Sequence, residues 1–308
     1  MAFRLLTSLI MMFLFVACAH HSRTQSGLRI VGGEEVTDSS DPTMKSTVAL
    51  LNNGTLCSGT LIGPNQVLSA AHCIESGEIT IASGPSPKAV PGLKVILARS
   101  HPKWDKGPND VSILIFEGTL PSNLVPVSIA PLEGISEGSA VTLAGYGVTG
   151  ERNKDSGTLR KVKAQVRAFD KTTKEFAMQE GLGVGSCYGD SGGPAYVALG
   201  SELAVIGATS RGSDCDTGDG LYGDVRYFQG WYKCVAKEAG KPLRYLANDD
   251  SNVDCDPKYI DADVDSGGGG STTRSINVAI GPQSGASPSS YNIYFAVDRS
   301  ATGSDLVD

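Results

Sequence analysis

Histidine is scarce in this chain: four occur in 308 residues, so any chemistry that needs an imidazole has few sources. Basic residues are outnumbered, 26 Lys and Arg against 33 Asp and Glu, for a formal charge of −7. No nucleic-acid motif or internal repeat occurs in the chain. Aromatics make up only 6% of the residues. No apolar run reaches the ~18 residues required to cross a bilayer. The longest, residues 5–16, follows Arg4 and leads into small residues, the pattern of a secretion signal.

Much of the remaining sequence is short apolar or alternating runs broken by Gly, Pro, Asn and Asp. Residues 47–51, 60–62, 94–98, 140–144, 159–166 and 203–209 read as strands, and their spacing predicts an all-β antiparallel fold. Residues 227–239 are the first long amphipathic helical pattern. The composition changes near residue 245. Between residues 249 and 265 stand seven aspartates and one lysine, a balance of −6, so most of the chain's acidity is local. Asp261-Ala262-Asp263-Val264-Asp265 only faintly matches a calcium loop: the glycine at the sixth position and the glutamate at the twelfth are missing. An acidic linker accounts for it better. Residues 267–270 are four glycines, and residues 276–280 and 291–297 alternate. They fit a small hairpin or a disordered tail, since two strands alone are marginal.

Chemistry concentrates in Gly189-Asp190-Ser191-Gly192-Gly193-Pro194. A serine hydroxyl becomes nucleophilic only beside a base, and its product oxyanion needs donors. Gly189 and Ser191 amides are the candidate donors. Of the histidines, His20 and His21 lie next to the signal. His101 sits in a polar loop, whereas His72 follows an apolar run in Ala70-Ala71-His72-Cys73, where small neighbours and a cysteine pin it. Asp110 precedes the apolar run 111–116, as a buried carboxylate that orients an imidazole would.

Together these motifs resemble the chymotrypsin/trypsin family of serine peptidases, in the order His72, Asp110, Ser191 that separates this fold from other triad folds. A fourth match is Arg29-Ile30-Val31-Gly32-Gly33. The resemblance covers about residues 30–240. It implies two six-stranded antiparallel β-barrels with a C-terminal helix, followed by a C-terminal extension. His72 and Asp110 would come from the first barrel and Ser191 from the second. The implied domains are a signal at 1–19, a propeptide at 20–29, a peptidase at 30–245 and the extension at 246–308. Cleavage after Arg29 would free Ile30 to pair with Asp190 and order the oxyanion hole, and Ser210 would support Asp110. No metal or cofactor is implied.

The resemblance also implies disulfides Cys57–Cys73 and Cys187–Cys215. Cys234 and Cys255 are paired by elimination, with no family bridge behind them. Seven cysteines leave Cys18, which is either lipidated at a bacterial lipoprotein site or discarded with the signal at Ala17-Cys18-Ala19. The expected location is secreted, periplasmic or in the cell envelope, with membrane attachment only through a lipid on Cys18. The expected partners of this monomer are protein or peptide substrates and an activating trypsin-like protease.

Specificity turns on the pocket. Where trypsin-like members carry an aspartate, two residues before Cys187, this chain has Gly185, followed by Ser186. Gly212 and Gly220 fall at the walls. Small residues there predict large apolar or aromatic side chains on the substrate. A one-residue slip would instead bring Asp219 into the pocket and restore basic specificity. Arg211 replaces the family's usual aromatic residue. A catalytically silent binding homologue is the other reading, and an esterase on the same triad is a further one.

Overall fold

The computed structural model describes residues 30–75, 77–179, 183–213, 215 and 219–243, and the backbone of strands at 273–278 and 291–296. The chain divides into two compact units, Met1–Ile260 and Asp261–Asp308. In the larger, β1 (Glu34–Glu35) and a short helix α1 (Pro42–Ser46) precede a seven-stranded antiparallel sheet. Its strands are β2 (Thr47–Asn52), β3 (Thr55–Gly63), β4 (Gln66–Ser69), β5 (Ile79–Ser83), β6 (Lys88–Ala89), β7 (Lys94–Ser100) and β8 (Ser112–Glu117), in spatial order β6-β5-β2-β3-β4-β8-β7. This sheet is a half-barrel whose edge strands β6 and β7 are not paired with each other, where full closure was expected.

The second sheet closes. It comprises β9 (Ser128–Ile129), β10 (Ala140–Gly145), β11 (Arg160–Asp170), β12 (Glu175–Met178), β13 (Pro194–Leu199), β14 (Glu202–Gly212) and β15 (Gly220–Asp224), joined by β1. The order β11-β10-β13-β14-β15-β12 returns to β11, giving a six-stranded barrel. A 3-10 turn, Val225–Phe228, leads into helix α2 (Gln229–Glu238), the helix the sequence pattern predicts.

The apolar run 111–116 shows why a continuous hydrophobic strand is needed here. Side chains alternate across a strand. Leu114 and Phe116 enter the core of the first sheet with Val48, Leu50 and Ile81. Ile113 and Ile115 face the other way, into a core shared with Val205 of the second barrel and Trp231 and Tyr232 of α2. Both faces are dry, so neither can be polar. The same sharing places β4, with Val67 on one side and Leu68 on the other, at the seam between the two halves. Tyr196 ties that seam further: its hydroxyl lies 2.8 Å from Ser46 Oγ and 3.1 Å from Thr47 Oγ1.

Cys57–Cys73 and Cys187–Cys215 are disulfides, as expected. Cys234 is also disulfide-bonded; Cys255, its expected partner, lies outside the described residues. So do Arg29, Cys18, the signal and the aspartate-rich stretch. Among the described residues no helix is long and apolar enough to cross a membrane. In the smaller unit β16 (Thr273–Val278) and β17 (Tyr291–Ala296) pair antiparallel, from Thr273 opposite Ala296 to Val278 opposite Tyr291.

Candidate active site

Strand register brings the histidine and the carboxylate together. β4 and β8 are antiparallel neighbours with Ser69 opposite Ser112. His72 lies three residues beyond the end of β4 and Asp110 two before the start of β8, so both leave the sheet at the same end. His72 sits in the 3-10 turn Ala71–Ile74, tied back to β3 by the Cys57–Cys73 bridge. Ser112 Oγ donates to the Ala70 carbonyl at 2.8 Å and holds the two chain segments in register. His101, the competing histidine, is buried with its ring edge-on to Phe228 and Trp231, a packing role.

Asp110 is 4% exposed. Its Oδ2 lies 2.8 Å from His72 Nδ1 and accepts from Ser210 Oγ at 2.7 Å. Its Oδ1 accepts from the His72 amide at 3.1 Å. Burial pushes the carboxyl upward, but the donors of His72 and Ser210 more than offset it, so Asp110 stays ionised below the ordinary carboxylate range. An ionised Oδ2 fixes the proton on Nδ1 and leaves Nε2 free to act as a base.

Ser191 comes from the opposite half. The turn 189–193 is docked on β3: Ser58 N donates to the Ser191 carbonyl at 2.8 Å, and Ser58 Oγ to that of Gly189 at 2.9 Å. This approach demands Gly192, whose φ is +75°, and where a Cβ would lie 2.0 Å from Ser69 Oγ and 2.6 Å from the Ser58 carbonyl oxygen. Among the described residues the Gly189 and Ser191 amides have no protein acceptor, and two unengaged N–H groups beside a serine are the parts of an oxyanion hole. His72 and Ser191 are not hydrogen-bonded to each other, a looseness common before substrate tightens such a pair.

Asp190 faces the other way and is 1% exposed. Its carboxylate accepts from Gly147 N at 2.8 Å and Cys187 N at 2.9 Å. Ile30 is equally buried, and Val31 is bridged to Gly185. Gly147 was not singled out in the sequence, yet a Cβ there would lie 2.5–2.7 Å from the Asp190 carboxylate. Arg160, fully buried, holds that loop by donating to the Gly147 and Asp155 carbonyls at 3.1 and 3.0 Å. Gly147→Ala is expected to displace Asp190 and lower kcat/KM about 10²-fold, the scale of a 1 Å misplacement. Steady-state kinetics beside an unchanged far-UV spectrum checks this.

Next to Ser191 lies a cavity of about 240 Å³. Ser186 and Gly212 line it as expected, together with Thr209, Arg211, Ser213 and Tyr188. Gly185, whose N–H donates to the Val31 carbonyl, and Gly220 are not among the lining residues. No carboxylate lines the cavity among the described residues. Asp219 Oδ2 is instead 2.8 Å from Arg167 Nη2. The sulfurs of Cys57 and Cys73 lie near a His72 nitrogen, but joined as a disulfide they offer no thiolate to a metal. Glu175, which grips Arg211, was not foreseen.

The sequence model of the trypsin family matches residues 30–232. The chain is 31% identical to a trypsin of Saccharopolyspora erythraea over 60% of its own length and 88% of that protein. It is 30% identical to human kallikrein-8, over 76% of this chain and 96% of the relative. Human granzyme M is 30% identical, over 60% and 80%. A match across well over half of the chain, on a closed barrel beside a half-barrel and a C-terminal helix, makes it a member of the trypsin family and a serine endopeptidase.

Proposed function

We propose that this protein is an exported peptidase that cleaves peptide bonds through an acyl-enzyme on Ser191. The observation that carries the reading is the hydrogen-bonded chain Ser210–Asp110–His72 beside Ser191. His72 Nε2 takes the hydroxyl proton as Ser191 Oγ attacks the carbonyl carbon. The negative oxygen is held by the Gly189 and Ser191 amides. His72 then gives its proton to the leaving amine, and water repeats the sequence to release the acid. Asp110 stays ionised and stabilises the imidazolium.

Cleavage after Arg29 is the proposed switch. Ile30 has a φ of +45°, a conformation costly for a β-branched residue. A chain that begins at Ile30 has no φ there, and its ammonium becomes available to buried Asp190. The two disulfides, and the signal pattern read in residues 1–19, support an oxidising compartment. Export leaves Cys18 either discarded or lipidated.

With no carboxylate lining its cavity among the described residues and Asp219 paired to Arg167, the enzyme should prefer large apolar or aromatic residues before the scissile bond. Peptide-library profiling of the activated enzyme tests this. Enrichment of Phe, Tyr, Leu or Met at that position supports it, and enrichment of Arg or Lys refutes it. The same preference makes Arg29 a poor substrate for the enzyme itself. A Ser191→Ala precursor incubated with activated wild type should remain uncut over hours while added trypsin cuts it quickly. Equal cleavage by both would contradict a pocket without a carboxylate.

A further inference from the structure

Arg211 follows Ser210 on β14 and lines the cavity beside Ser191. Its guanidinium grips Glu175 of β12 with two bonds, Nη1 to Oε1 at 2.5 Å and Nη2 to Oε2 at 3.0 Å. Glu175 is only 5% exposed, so the pair is anchored on its acidic side. The same Nη1 donates to Ser210 Oγ at 3.2 Å and to the Gly107 carbonyl at 3.4 Å.

A guanidinium has no acceptor and a hydroxyl has one proton. Ser210 Oγ must therefore accept from Arg211, and its proton is committed to Asp110 Oδ2, 2.7 Å away. We propose that Arg211 and Glu175 are positioning residues for the triad: Arg211 locks the Ser210 hydroxyl as a donor to Asp110 and sets a cation beside the His72–Asp110 couple, while Glu175 holds Arg211 in place and limits its charge. The proposal rests on the triad reading above. Donation into an oxygen that itself donates strengthens the second bond.

The other charged groups on neighbouring elements do not oppose this arrangement. Asp105 and Lys106, on the loop that supplies Gly107, are solvent-exposed. Lys174 is turned over the Phe228 ring, Asp224 is paired with Arg226, and Asp219 with Arg167. Arg211 is thus the cation directly hydrogen-bonded into the triad's support.

The test is the pH profile of Ser191 inactivation by a fluorophosphonate, measured on the full chain after cleavage at Arg29. This rate follows the neutral form of His72 and needs no knowledge of specificity. Glu175→Gln leaves the cation uncompensated and should move the acidic midpoint down by about 0.5 pH unit. Arg211→Met with Glu175→Gln removes both charges, leaves no buried carboxylate unpaired, and should move it up by about 0.3 unit with a plateau about fivefold lower. Arg211→Lys keeps the charge and should return the midpoint to within about 0.2 unit of wild type. A purely structural pair would lower rates at every pH without moving the midpoint. Midpoints that stay fixed, or shift the same way in both charge variants, overturn the proposal while leaving the triad intact. Wild-type protein whose Ser191 does not react at all overturns the triad reading itself.

Discussion

Ser191→Ala in the activated chain is expected to lower kcat on the order of 10⁶-fold, to the level that binding and oxyanion contacts alone sustain. The size follows from the division of labour in the site. Without Oγ there is no acyl-enzyme, and His72 has no proton to take. His72→Ala should cost about as much, and the two together little more, because they act as one unit. Stability should hardly change. The Ser191 contacts with the fold run through its carbonyl to Ser58 N, which alanine keeps. A loss of only 10- to 100-fold, measured by turnover of a peptide chosen from library profiling, would mean that Ser191 is not the nucleophile.

Asp110→Asn should lower kcat at neutral pH on the order of 10⁴-fold with the backbone unchanged. Asparagine keeps the shape but replaces an acceptor with an amide. Ser210 Oγ and the His72 amide both need acceptors, so the remaining oxygen cannot also hold the Nδ1 proton. The imidazole is then stabilised in the wrong tautomer. The substitution also changes stability in a pH-dependent way. The folded-state pKa of Asp110 is depressed, so its stabilising contribution is complete above the unfolded carboxylate range and is lost as pH falls through the folded value. Chemical denaturation at a series of acidic pH values should show wild type losing more stability than Asp110→Asn over that interval. Parallel losses would contradict the ionised carboxylate.

What was legible in the sequence was whatever could be written as a local pattern. The apolar run 111–116 foretold a buried strand, and residues 227–239 foretold α2, because each depends on its own local pattern. His72, Asp110 and Ser191 could be singled out because each lies in a short run with a chemical reason for its neighbours. Arg211 stood out only as the replacement of an aromatic residue; that it is held by Glu175, 36 positions earlier, is a consequence of β12 and β14 flanking β15. The requirement for glycine at position 147 comes from the carboxylate of Asp190, 43 positions later. Gly185 and Gly220 were placed in the pocket by counting along the chain, and counting does not show which way a segment turns; neither is among the lining residues. The open seam between β6 and β7 has no local signature either, since closure is a property of the whole sheet.

The central claim is that Ser191 is a nucleophile made reactive by His72. Mass spectrometry of the activated chain after brief exposure to a fluorophosphonate tests it directly. The account predicts one adduct, on Ser191, in the wild type and none in His72→Ala under the same conditions. An unmodified Ser191 in the wild type, or equal modification in the His72→Ala protein, would contradict it.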